Sequence, residues 1–179
     1  MANSYLWSDL FKKRASDKDF LTESLSKNIL FASLTKSELS VISRVVYQRV
    51  YQPGEVIFHQ NSRGFGMYII ARGEVAIRTE SAHGKSLLTN LEKGNFFGEL
   101  ALIENNNIRT ASAVAEERCE LIGFFKPDLM DILETKPVIG VKILYALGSV
   151  LGQRLMETTE RLGILAQTKG ISDSHDRYL

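Results

Sequence analysis

The chain has 179 residues, 44% of them apolar and 24% charged, with a formal net charge of +1. Those values fit one ordinary globular domain with a real core, and they carry none of the basic excess that marks a nucleic-acid-binding surface. A single cysteine, Cys119, excludes an internal disulfide framework, a Cys-based zinc site and a thiolate-held iron–sulfur cluster.

In chain order, residues 1–44 read as a helical segment. The opening "MANSYLWSDLFKKR" lacks the basic-then-apolar order of a signal peptide. Lys12, Lys13 and Arg14 are diluted by nearby acids and read as a solvated helix face. "DFLTESL" brings Phe20, Leu21 and Leu25 near one face. Thr35 and Glu38 have the spacing of a capping box, in which each side chain satisfies a backbone donor left open at the helix start.

Residues 45–125 change character. "VVYQRVY", "EVIF", "MYIIA", "EVAIRTE", "SLLTNL", "TASAVA" and "CELIGF" read as short strands, and Gly54, Gly64, Gly66, Gly73, Gly84, Gly94 and Gly98, at close intervals, read as corners that supply positive φ and tight reversals. Short strands with regular turns predict a sandwich or roll. The fold class is therefore α+β, an antiparallel β-roll of the jelly-roll or double-stranded β-helix kind, flanked by helices. "GEV" occurs twice, which is too little for a repeat fold. Cys119, inside an alternating stretch, reads as a small buried hydrophobe, and a reduced, cytoplasmic setting fits it.

Residues 126–167 read as C-terminal helices. "KPDLMDILETK" turns Leu129, Ile132 and Leu133 inward, and Pro137 suits the first turn of a new helix. "PVIGVKILYALGSVLGQRL" is taken as too short and too interrupted, by Lys142 and Arg154, to cross a bilayer. Leu144, Gly148, Leu151, Leu155, Thr158, Leu162 and Leu165 step alternately by four and three. That is the seam of a helix pair, weakened at Gly148 and Thr158. Residues 168–179 read as a fraying polar tail.

The stretch "FGELALIENNNIRTASA" carries the chemistry. A short helix starting after Gly98 presents backbone N–H groups, those of Leu100 and Ala101, and such an end attracts anions. Gly98 lets a ligand approach the backbone. Ionised Glu99 only accepts hydrogen bonds, which suits paired hydroxyls. Arg109 offers a planar fork to a phosphate. Asn105–Asn107 reads as a loop that tolerates unusual backbone angles. A ligand with ribose hydroxyls and a phosphate would engage all of these. His59, His83 and His175 show no metal-ligand spacing, and no Walker loop or paired-carboxylate arrangement is present. "SDSHD" sits at a fraying end and cannot hold a triad. The chain is not read as an enzyme, and no metal is expected.

"FGELALI", a loop and "RTASA" resemble the phosphate-binding cassette of the cyclic nucleotide-binding domain family. "YQPGEVIFHQNSRGFGMYIIARGEVAI" resembles the first half of that family's β-roll. "QRLMETTERLGILA" is similar to the dimerising helix of catabolite-activator-type (Crp/Fnr) bacterial regulators. The resemblance covers roughly residues 30–166. It implies that Glu99 meets the ribose 2′-hydroxyl and Arg109 the cyclic phosphate. Gly98, Leu100 and Ala101 would add backbone groups, and Thr110 a hydroxyl. Thr158 and Thr159 fall where that regulator type meets the adenine, partly from a partner subunit.

The chain departs from the family at Asn61, where Gly is usual, and at Ile108, where Pro is frequent. The segment between Pro137 and Leu155 is about one turn longer than in the regulators, and the helix-turn-helix that follows in them is not expected here. The resemblance implies a stand-alone sensor that binds cAMP, with cGMP possible, and forms a homodimer through its C-terminal helix. No nucleic-acid or membrane partner is expected, and the sequence names no downstream one. Two alternatives stay open: a ligand-free structural dimerisation module of the same fold, or a DNA-binding transcription regulator lacking its helix-turn-helix in this chain.

Overall fold

The computed structural model describes residues 19–81 and 84–175. The basic run at residues 12–14 and His83 lie outside them. The chain divides into two compact units, Met1–Lys142 and Ile143–Leu179.

The first unit begins with a helix over residues 19–26 (α1). Leu25 of α1, and Leu30 and Phe31 in the turns after it, are fully buried. The turn after α1 is fastened by Asn28, whose side-chain amide donates to Gly94 O at 3.0 Å while its oxygen accepts from the Leu30 N–H at 3.1 Å. A buried amide bonded on both ends avoids the cost of leaving a polar group open. Helix α2 (Lys36–Ile42) starts on the predicted capping box. The Glu38 N–H reaches Thr35 Oγ1 at 3.3 Å, and the Thr35 N–H reaches Glu38 Oε2 at 2.7 Å.

Eight strands follow: β1 (Tyr47–Tyr51), β2 (Val56–Phe58), β3 (Gly66–Arg72), β4 (Val75–Ser81), β5 (Gly84–Leu91), β6 (Phe96–Phe97), β7 (Ser112–Ala115) and β8 (Cys119–Phe125). They make two four-stranded sheets, ordered β1-β8-β3-β6 and β2-β7-β4-β5. All named pairings are antiparallel. The predicted β-roll is the fold. The seven predicted strands are present, and β6 is an additional two-residue strand that pairs with Tyr68 and Ile69 of β3.

Strand β8 shows how the sequence builds the core. Six of its seven positions are buried, and its side chains alternate between two faces. Cys119 and Leu121 join Tyr51, Ile70, Val75, Phe97, Ala113 and Ala115 in one cluster. Phe124, on the opposite face, meets Phe31 edge-on at 5.8 Å. The Cys119 thiol donates to Glu74 O at 3.1 Å, and burial pushes its pKa up, so it stays protonated and packs as a hydrophobe.

Tyr51 is buried in the same cluster. Burial, with a contribution from Tyr68, pushes its phenol up to about 12, and Arg49, whose guanidinium lies 4.7 Å from the ring centroid, opposes the shift. The unfolded phenol ionises near pH ~10. Stability is therefore intact below that pH and is lost as pH rises toward the folded value. Urea midpoints followed from about pH 9 to 12 should fall more steeply in the wild type than in Tyr51→Phe. Parallel curves would show that Tyr51 does not carry the effect.

Helix α3 (Leu100–Ile103) lies between β6 and β7, and α4 (Lys126–Thr135) follows β8 directly. Leu129 and Ile132 of α4 are buried and Leu133 is half-buried. Helix α5 (Pro137–His175) is continuous. Gly140 packs so closely on α4 that a Cβ there would lie 2.6 Å from Leu133 Cδ2. Lys142 Nζ meets both carboxylate oxygens of Glu38 at 2.8 Å.

The second unit is the remainder of α5. Of the predicted seam, Leu144 and Leu151 are half-buried, while Gly148, Leu155, Thr158, Leu162 and Leu165 are exposed. The helix also continues to His175, past the predicted start of the polar tail. No proline follows Pro137, and the glycines inside α5 cost only about 1 kcal/mol each relative to Ala.

Residues Pro137–Leu165 are long and apolar enough, by length and composition, to cross a membrane. The expectation that this stretch is too short is corrected on that count. Its start is nonetheless bonded into the first unit by the Lys142–Glu38 pair, and single apolar helices of this length also occur in soluble proteins.

Candidate functional site

The segment from Asn107 to Arg109 runs beside residues 61–64, held by backbone bonds. The Arg109 N–H donates to Ser62 O at 2.9 Å, Asn61 N–H to Arg109 O at 2.8 Å, and Gly64 N–H to Asn107 O at 2.7 Å. Asn61 and Asn107 both have positive φ, 63° and 53°. Asn tolerates this left-handed region better than most residues, so Asn61 can stand where the family usually has Gly. The polar loop around Asn107 makes its bend in the same way.

These bonds aim Arg109 inward. The residue is 6% exposed. Its NH1 donates to Gly98 O at 2.8 Å and its NH2 to Gly66 O at 2.7 Å. Its Cζ lies 4.0 Å from the Phe58 ring centroid. Phe58, Tyr68 and Phe97 form a ring cluster beneath it, with centroids 5.7 to 6.2 Å apart. Nε is buried with no hydrogen-bond partner. Burial lowers the guanidinium pKa, while Tyr68 and Glu99 oppose the shift. Arginine starts so high that it stays charged throughout the physiological range.

Gly98 follows β6 with φ +75°, a conformation that favours glycine. A Cβ there would also meet Arg109 NH1 at 2.4 Å. Glu99 is the N-cap of α3, buried at 7% exposure, and its side chain makes no cap bond. Its electrostatic effect on Arg109 places a carboxylate and a guanidinium in one neighbourhood. Leu100 is partly exposed and Ala101 is buried. The Ala101 N–H donates to Gly98 O at 3.2 Å, so in this structure it is engaged within the turn rather than presented outward. Thr110 is exposed.

Gly98, Glu99, Leu100, Ala101, Arg109 and Thr110 thus all belong to the first unit, around α3 and the segment that leads into β7. Thr158 and Thr159 belong to the second unit. Their hydroxyls donate to the carbonyls of Arg154 and Leu155 at 2.7 and 2.9 Å, and both are exposed.

Sequence reasoning missed Phe58, Gly64 and the carbonyl of Gly66 as surroundings of Arg109. The two glycines were read as turn residues, but neither has positive φ. That spacing was the available signal. A cavity of about 450 Å³ lies elsewhere, between α1 and the Arg72 end of β3, with Phe20, Lys27 and Lys93 in its lining. None of the predicted site residues lines it. Among the described residues no group of three or more His, Cys, Asp or Glu is placed to hold a metal ion.

Residues 48–136 match the family described as the cyclic nucleotide-binding domain. The chain carries a domain of this family. It is 31% identical over 138 residues to the cyclic AMP receptor protein of Thermus thermophilus, covering 76% of this chain and 62% of that protein. It is 34% identical over 114 residues to the cAMP-dependent protein kinase regulatory subunit of Schizosaccharomyces pombe, covering 63% of this chain and 27% of that one. The crystal structure of Thermus thermophilus catabolite activator protein superimposes with a TM-score of 0.70 at 30% identity, over 78% of this chain and 63% of that one. A cyclic nucleotide-binding domain from Methylobacillus flagellatus shares the fold, with a TM-score of 0.71 at 23% identity over 82% of this chain and 83% of that one. The chain spans less than two thirds of the length of these curated relatives.

Proposed function

We propose that the chain is a regulatory sensor that binds cAMP in preference to cGMP and forms a homodimer through α5. The observation that carries this reading is the buried Arg109 guanidinium, seated between the carbonyls of Gly98 and Gly66 in the neighbourhood of Glu99. A guanidinium has five N–H donors in a planar fork, and turned away from these two carbonyls it would offer that fork to a cyclic phosphate. Ionised Glu99 would accept from a ribose hydroxyl. The relatives named for cyclic AMP support the choice of base, as do the hydroxyls of Thr158 and Thr159. Thr110, which follows the arginine as in family members that take cGMP, keeps the second nucleotide in view.

Signalling on this reading is a population shift. A nucleotide moves the domain only as far as its affinity differs between two states of the cassette and α5. Parallel calorimetric titrations with cAMP and cGMP test the proposal. Saturable binding of cAMP, tighter than cGMP, is the expected result. No binding of either nucleotide would leave a ligand-free dimerisation module, and tighter cGMP binding would overturn the base preference.

A further inference from the structure

We propose that Arg109 is parked in this structure, and that Gly64, by carrying no side chain, keeps the parking place open and so lowers the affinity of the site for its anion. The affinity part rests on the reading of Arg109 as the phosphate ligand; the parking part does not.

Gly64 is buried and has an ordinary backbone conformation. It is not there for a turn, unlike Gly54, Gly73, Gly84, Gly94 and Gly98, which all have positive φ. What makes glycine necessary is Arg109. A Cβ at position 64 would lie 2.1 Å from Arg109 Nε, 2.3 Å from Cζ and 2.7 Å from NH2. Such approaches do not occur, so one group must move. Those three atoms are the far end of a long side chain, whereas Gly64 is anchored by its N–H to Asn107 O at 2.7 Å. The guanidinium is therefore the group that leaves.

In its seat the guanidinium is bonded to two backbone carbonyls and lies over Phe58. Each charge-assisted bond stabilises the seated form. A phosphate gains most from an arginine that presents its fork outward, so the seated form competes with binding. When the competent state is only a fraction of the population, apparent affinity falls by that fraction. Removing the seat raises the fraction.

Two measurements test this on the full chain. Gly64→Ala should lower the melting temperature in the wild-type background and leave it unchanged in an Arg109→Ala background, where no guanidinium remains to be displaced. An equal drop in both backgrounds would overturn the parking. Gly64→Ala should also tighten cAMP binding about tenfold; unchanged or weaker binding would overturn the affinity claim. Phe58→Leu weakens the seat without adding an atom in the crowded space. It should tighten binding in the same direction, and a loss of affinity there would count against the proposal. If the wild type binds neither nucleotide, the functional reading and the affinity claim fall with it, and the melting cycle still decides the parking.

Discussion

Arg109→Ala loses about a hundredfold or more in cyclic nucleotide affinity while the fold survives. A hydrogen bond to a charged group contributes about 1.5–3 kcal/mol, and an arginine fork can make two to one phosphate. The structure also explains why folding tolerates the loss. The guanidinium is buried, so its removal relieves a desolvation cost as well as breaking the bonds to Gly98 O and Gly66 O. The segment that carries it is held by backbone bonds to residues 61–64, which alanine keeps. Calorimetry gives the affinity and near-UV circular dichroism gives the fold. A variant that binds as tightly as the wild type would remove Arg109 from the phosphate role. Arg109→Lys separates charge from geometry: an ammonium keeps the charge but cannot span two carbonyls or offer a planar fork.

The double substitution Leu155→Glu, Leu162→Glu converts the proposed dimer to a monomer. Both leucines are exposed, at 68% and 61%, and Leu165 at 65% continues the same spacing. Large apolar side chains recurring at a helical period along an exposed stretch favour a partner helix. Burying a leucine contributes about 1.5–3 kcal/mol, and a symmetric helix pair buries each position twice. Placing four carboxylates in that seam removes the apolar gain and adds repulsion. Sedimentation or light scattering at micromolar concentration should show the monomer mass. A dimer that persists would place the interface away from these positions.

The roll was legible because its strands are short, rich in β-forming residues and separated by glycines at close intervals. The capping box at Thr35 was legible because its chemistry is local. Strand β6 was not: two phenylalanines make no periodic pattern, and their pairing depends on β3, which is distant in sequence. The cassette was legible as a motif, and the structure gathers Gly98, Glu99 and Arg109 as one group. The carbonyl partners of Arg109 were hidden, since a backbone oxygen leaves no mark in the sequence. Gly64 was misread for a related reason. Glycine marks both turns and tight contacts, and only the dihedral angle and the neighbouring atoms separate the two. The length of α5 past Ala166 was also missed, because a polar composition there outweighed the absence of any residue that would stop a helix.

Glu38 takes part in two fastenings at once. One of its oxygens closes the first turn of α2, and the pair together grips Lys142 near the start of α5. Lys142 first, and then the Thr35 backbone, hold its carboxyl below the usual range, so it stays ionised at any pH where ordinary glutamates do. The start of α2 and the start of the longest helix therefore share a single rivet. Any displacement of Lys142 loads the same carboxylate that keeps α2 wound. A protein that signals by moving α5 would transmit that movement to the α1–α2 side of the roll as well as outward along the helix.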